Sequence, residues 1–180
     1  MTIQVLSHLM GDSREYAFEG ETPEIAADAR VSRDAVVVGD VTVGPDASVW
    51  PGAVLRGDVG PVRIGAQAHI GDNAVVHAST VGDRVMVGHG AILNDATIQD
   101  GTLVGFNATV GSEIVVGERC ILAGGTVLPE GYEVPPESFV RGVPAEVTPL
   151  DQTAIDPEET FAEYSSGAYT DLAERHEELF

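Results

Sequence analysis

Residues 64–76 read Ile64-Gly65-Ala66-Gln67-Ala68-His69-Ile70-Gly71-Asp72-Asn73-Ala74-Val75-Val76, and residues 81–93 read Val81-Gly82-Asp83-Arg84-Val85-Met86-Val87-Gly88-His89-Gly90-Ala91-Ile92-Leu93. An aliphatic residue returns every six positions, glycine often follows it, and a small residue comes four positions later. The same phase extends backwards through Ile25, Val31, Val37, Val43, Val49 and Leu55. A short insertion separates Leu55 from Ile64, and beyond Leu93 the series runs forward through Ile98, Val104, Val110, Val116, Leu122 and Leu128. Ala29, Ala35, Ala47, Ala53, Ala68, Ala74, Ala91, Ala108 and Thr126 hold the small position.

A six-residue unit holds one short strand and one turn, too little to bury an apolar face alone, so the units must stack. Three of them make a triangular coil, with Val43 to Ile64, Ile64 to Val81, Val81 to Ile98 and Ile98 to Val116 as successive coils of 21, 17, 17 and 18 residues. A period of six matches neither 3.6 nor 3.5, and the glycines would break a helix. The expected fold is mainly β, a parallel β-helix of about six coils between Ile25 and Tyr132 with a C-terminal α-helix. As a single domain it divides into an N-terminal cap (1–24), the repeat (25–145) and an exit segment with the terminal helix (146–180). Asp156-Pro157-Glu158-Glu159 is a helix start, with Asp as N-cap and Pro in the first turn. Gly167 interrupts, then Tyr169, Leu172, Ala173, His176 and Leu179 recur at helical spacing; this stripe should lie along the β-helix or a neighbouring subunit.

The chain carries 29 acidic residues against nine arginines and no lysine, a net charge of −20. Such an excess keeps a chain soluble but repels itself, and screening beyond about 3 Å at 1 M salt removes the penalty. A high-salt cytoplasm is the expected setting, and neither nucleic acid nor an anionic membrane is an expected partner. One cysteine, Cys120, allows no internal disulfide and sits at a small core position, where inert packing is the simpler reading. No stretch reaches transmembrane length, so the chain reads as soluble and intracellular.

Stacking the coils aligns side chains in columns. Hexads starting at Leu55, Val76, Leu93 and Val110 superpose, with second positions Arg56, His77, Asn94 and Gly111. Hexads starting at Val49, Ile70, Val87 and Val104 superpose too, with third positions Pro51, Asp72, His89 and Phe106. His77 and Asn94 are thus one coil apart and within reach of a common ion. His89 lies on another edge and would reach that ion from another subunit. His69 shares its column with Ser48, Met86 and Leu103, away from His77, and is expected to be an interface or surface histidine. Trp50 is expected to pack or to face an interface.

Residues 49–58, Val49-Trp50-Pro51-Gly52-Ala53-Val54-Leu55-Arg56-Gly57-Asp58, resemble a signature of the gamma-class carbonic anhydrases. His69-Ile70-Gly71-Asp72-Asn73-Ala74-Val75-Val76-His77 and Val87-Gly88-His89-Gly90-Ala91-Ile92-Leu93-Asn94 are similar to two further blocks. Gly142-Val143-Pro144-Ala145 and the Tyr169–His176 segment are similar to its exit turn and terminal helix. The resemblance, which points to a salt-adapted, haloarchaeal-like member, implies a left hand for the helix, a homotrimer, and metal sites between subunits. It implies reversible hydration of carbon dioxide to bicarbonate by a metal-bound hydroxide. Each site would take a divalent metal, zinc first and iron or cobalt otherwise, at the positions of His77, His89 and Asn94. Arg56 and Asp58 match a pair that bridges subunits near the metal, and Asp72 matches a site carboxylate.

The family pattern has histidine where this chain has Asn94. A carboxamide oxygen is a weakly basic ligand better suited to harder ions than to zinc, so Asn94 is expected to be a weak ligand or a hydrogen-bond partner of bound water. No glutamate follows Asp58, and Ala78-Ser79-Thr80 replaces a longer acidic loop, so a carboxylate proton shuttle is not expected. Two other readings are a catalytically impaired or metal-free trimeric scaffold and an acyl-CoA-dependent acyltransferase. A lysine-free chain at −20 is a poor host for the phosphates of CoA.

Overall fold

The computed structural model describes residues 14–180 apart from residue 165. Each hexad turns its aliphatic residue inward, where the side chains of one coil stack on those of the next. Val37, Leu55, Val76, Leu93, Val110 and Leu128 form one buried column, and Val49, Ile70, Val87, Val104 and Leu122 a second. Alanines 35, 47, 53, 68, 74, 91 and 108 fill the spaces between them. The result is a left-handed parallel β-solenoid of about seven turns, one more than the spacing implied.

The extra rungs come from both ends. Arg14–Tyr16 pairs in parallel with Val36–Val43 outside the six-residue pattern, whereas Ser138–Arg141 pairs with Ile121–Leu122 in phase with it, since Val134 and Val140 continue the series from Leu128. The expected cap thus contributes a strand, while its residues 1–13 lie outside the described ones. The insertion is housed in the strand Val54–Ile64, which pairs with Val36–Val43 around an irregularity between Gly39 and Val41. A Cβ on Gly57 would run into the backbone carbonyl of Asp40. Only glycine permits that approach.

The register is the one that the columns require: Leu55 against Val76, Val76 against Leu93, Ile64 against Val81, Ile98 against Val116. Left-handed backbone at Gln67, Asn73, Arg84 and Asn107, with φ between 55° and 58°, turns the corners. The rungs are parallel until Glu146–Pro149, which pairs antiparallel with Ser138–Arg141.

Beyond it, helix α1 (Pro157–Glu163) starts where Asp156 accepts the backbone N–H groups of Glu158 and Glu159, at 3.0 and 3.1 Å. Helix α2 (Ser166–Arg175) follows, so the interruption falls at Tyr164 and Gly167 lies within α2. Its Ala173 is fully buried, and α2 packs on the face built from Ser48–Val49 and His69–Ile70. The side chain of Tyr169 lies outside the described ones. Among the described residues no helix is long and apolar enough to cross a membrane.

Candidate metal centre

Strand residues two apart share a face. Outward beside the buried column therefore stand Val54 with Arg56, Val75 with His77, and Ile92 with Asn94. His77 and Asn94 are cross-strand partners, as are His77 and Arg56. His77 Nδ1 lies 2.8 Å from Asn94 Oδ1, and Asn94 Nδ2 donates to Ser112 Oγ at 2.9 Å. At the other ring nitrogen, His77 Nε2 lies 3.1 Å from Arg56 Nη2 and 3.2 Å from Asp58 Oδ1. Arg56 Nε also donates to Asp58 Oδ1 at 3.1 Å. Ser79 Oγ secures the turn after the imidazole, donating to the His77 carbonyl at 2.8 Å and accepting the Ala96 amide at 3.0 Å.

The expected residues Arg56, Asp58, His77 and Asn94 thus meet in one chain. The Asp58 carboxyl is held below the usual carboxylate range. Partial desolvation opposes the shift, but its own backbone N–H, the Arg56 guanidinium and His77 outweigh it.

Asp72 and His89 meet separately, at the corner that follows His69–Ile70 in one coil and Met86–Val87 in the next. His89 Nδ1 is 2.7 Å from Asp72 Oδ2 and 3.1 Å from the Asp72 amide nitrogen. One nitrogen cannot both donate to the carboxylate and accept the amide. The shorter, charge-assisted contact governs, so the proton belongs on Nδ1 and Nε2 faces outward as an acceptor. Phe106, one coil on, stacks on the ring with centroids 5.1 Å apart and planes 7° from parallel. The ring fits there because Gly88 lacks the Cβ that would crowd it.

His69 is not at the surface. It is 1% exposed, covered from the side on which α2 packs, with Nδ1 3.1 Å from Ser48 Oγ, which also accepts Trp50 Nε1–H at 3.2 Å. Burial, aided by the charge of His89, pushes its pKa down to about 3. A position inward of the terminal segment, rather than on an open face, decides this. Trp50 packs as expected, its ring edge-on to Phe180 at 5.5 Å and to His176 at 6.0 Å. Ser112 follows the column position Gly111 by one residue, so the column spacing alone does not place it beside Asn94. Its signal was the 18-residue offset from Asn94.

Both imidazoles fit a divalent ion of the borderline kind. Each has Nδ1 engaged within its own chain, while Nε2 of His77 faces Arg56 and Asp58. Among the described residues, however, no three His, Cys, Asp or Glu side chains of one chain gather into a metal-holding group.

Coils of this kind define a hexapeptide-repeat β-helix protein. The repeat matches the family described as "Hexapeptide repeat of succinyl-transferase" over residues 61–95 and 96–129. A "Probable carbonic anhydrase" of Methanocaldococcus jannaschii is 43% identical over 128 residues, 68% of this chain and 80% of that protein. "Gamma carbonic anhydrase 1, mitochondrial" of Arabidopsis thaliana is 32% identical over 167 residues, 87% of this chain, which spans 60% of that relative's length. Among solved structures, a hexapeptide transferase family protein from Anaplasma phagocytophilum superposes with a TM-score of 0.84 at 30% identity, over 90% of this chain and 97% of that one. The chain belongs to the hexapeptide-repeat family and is a homologue of the gamma-class carbonic anhydrases.

Proposed function

We propose that the protein is a gamma-type carbonic anhydrase that hydrates carbon dioxide reversibly to bicarbonate at the interfaces of a homotrimer. The carrying observation is the matched pair of imidazoles. His77 and His89 each hold Nδ1 against their own chain, at 2.8 Å from Asn94 and 2.7 Å from Asp72, which makes Nε2 the nitrogen that would meet an ion, with Arg56 and Asp58 beside it on His77. His89 of a second copy would complete the site that His77 begins. An apolar stripe beside the polar column supports that contact. Val36, Val54, Val75, Ile92, Thr109 and Val127 are stacked in register on the same outward face, half-buried or exposed.

When bound, a divalent ion supplies a hydroxide nucleophile near neutral pH. Zinc suits two imidazoles, with iron or cobalt as alternatives. The chain's residues do the remaining work. Asp72 fixes the orientation of His89 and raises the basicity of its Nε2. Asp58 holds Arg56 beside His77, with the guanidinium 3.1 Å from Nε2, the nitrogen that would meet the ion. Arg56 then offers a fixed positive charge to an anionic product. The acidic, lysine-free surface suits a salt-rich cytoplasm.

The test is complementation. His77→Ala and His89→Ala should each abolish zinc binding and carbon dioxide hydration in stopped flow. Mixing the two variants before refolding should restore about a quarter of the sites, because a mixed trimer has one interface with both histidines intact. Inactive mixtures alongside an active parent would sink the shared-site reading. Full zinc occupancy in the parent without hydration above buffer would favour the scaffold. An acyltransferase reading draws on the transferase family of the Anaplasma structure. A thermal shift with acetyl-CoA would favour it.

A further inference from the structure

Arg56, His77, Asn94 and Ser112 form a single file of hydrogen bonds across successive rungs, at 3.1, 2.8 and 2.9 Å. A guanidinium can only donate, so the nitrogen facing it must accept. His77 Nε2 therefore carries the lone pair, and a neutral ring carries its proton on Nδ1. That N–H donates to Asn94 Oδ1, which turns Nδ2 of the same amide toward Ser112 Oγ, again a complementary contact. Run in the opposite direction, the file would set Nε2–H against the Arg56 N–H. The Asp58 oxygen at 3.2 Å from Nε2 would favour a proton there, but the Arg56 contact is shorter and Asn94 Oδ1, at 2.8 Å, claims the single proton of a neutral ring on Nδ1. The direction of the file is set at its arginine end.

We infer that Asn94 is a positioning residue for His77 and not a ligand of the metal: its carboxamide oxygen keeps the proton on Nδ1 and so keeps the Nε2 lone pair available where the ion would sit. The inference rests on the metal site proposed above. It explains what asparagine can do at a position where imidazole would itself coordinate. A carboxamide offers an acceptor to its neighbour and a donor to Ser112 at once, and it competes poorly with imidazole for a borderline ion. Partners that orient a ligating histidine in this way are worth about ten- to a hundredfold in metal affinity.

The experiment reads the tautomer in the metal-free, full-length protein by nitrogen NMR with labelled histidine. His77 should present a protonated Nδ1 and a bare Nε2. Asn94→Ala should convert this into the mixed tautomers of a solvated imidazole, and Asn94→Asp, which keeps an acceptor in place, should restore it. Zinc affinity measured by calorimetry on the same proteins should fall about ten- to a hundredfold in Asn94→Ala and recover in Asn94→Asp. Should Asn94→Ala fail to fold, Ser112→Ala removes only the far anchor of the amide and should move the His77 signals the same way by a smaller amount. Unmoved tautomer signals in the variants would overturn the inference. So would a protonated Nε2 in the parent, or a zinc-bound crystal structure with Asn94 Oδ1 within bonding distance of the ion. The tautomer is read without metal or substrate, so its failure leaves the two-histidine site standing. A correct tautomer in a protein that binds no zinc would sink that site alone.

Discussion

The ring of Phe106 lies flat on the ring of His89, 5.1 Å between centroids and 7° from parallel. The two residues occupy equivalent places on adjacent coils, so the repeat itself delivers the stack. Together with the Asp72 contact it fixes a ring that remains 46% exposed. A stacked pair of this kind contributes about 0.5–1.5 kcal/mol. Phe106→Ala should therefore weaken zinc binding roughly two- to tenfold while leaving the fold intact. A competition titration with a chromophoric chelator checks this, and unchanged affinity would remove Phe106 from the site.

His69 sets a pH dependence of a defined sign. Its folded pKa is about 3, against about 6.5 in an unfolded chain. The unfolded state binds the extra proton between those values. His69 thus imposes no penalty above pH ~6.5, and stability is lost as pH falls from there toward 3, by up to about 1.4 kcal/mol per unit. His69→Phe should flatten the slope of unfolding free energy between pH 6.5 and 4, measured by denaturant titration at constant salt. The carboxylates titrate in both proteins, so the difference isolates His69. Equal slopes would show that the imidazole is solvated.

Leu93 is fully buried, between Val76 below and Val110 above, and precedes Asn94 in the same strand. Leu93→Ala should cost about 2–5 kcal/mol by leaving a cavity in the column. Because the strand also presents Asn94 to His77, it should lower metal affinity as well. Thermal unfolding and zinc titration of the one variant would separate a packing loss from an unaffected site.

Cys120 is buried, and its thiol is pushed above its ordinary pKa by desolvation, an effect that nearby backbone groups offset only in part. Thiolate is the reactive form. An aromatic disulfide reagent should leave the native protein unmodified over hours and modify it at once in denaturant. Rapid labelling of the folded chain would contradict the packing described for the last coils.

The six-residue spacing was sufficient for the register, because a strand slipped by one residue would turn Leu55, Val76 and Leu93 outward. It also aligned Arg56, His77 and Asn94, since side chains stack wherever the rungs do. Two things were not carried by the period. The rung Arg14–Tyr16 pairs through backbone groups, which any residue supplies, and its three side chains are exposed, so it left no pattern. Covering by the terminal segment decided the burial of His69. A column assigns a face, not what comes to lie on it. Asp58 reached His77 through the irregular insertion, where no spacing rule applies.

The antiparallel strand Glu146–Pro149 laid along Ser138–Arg141 has a bearing on more than the exit of the chain. A stack of parallel rungs is a template without an intrinsic length, and its last rung offers free amides and carbonyls on which another molecule can nucleate end to end. The returning strand takes up those groups on one of the three faces, reverses the polarity that a further rung would need, and finishes in Pro149, which has no amide proton to give. Growth into a fibre is therefore blocked at that face by backbone direction.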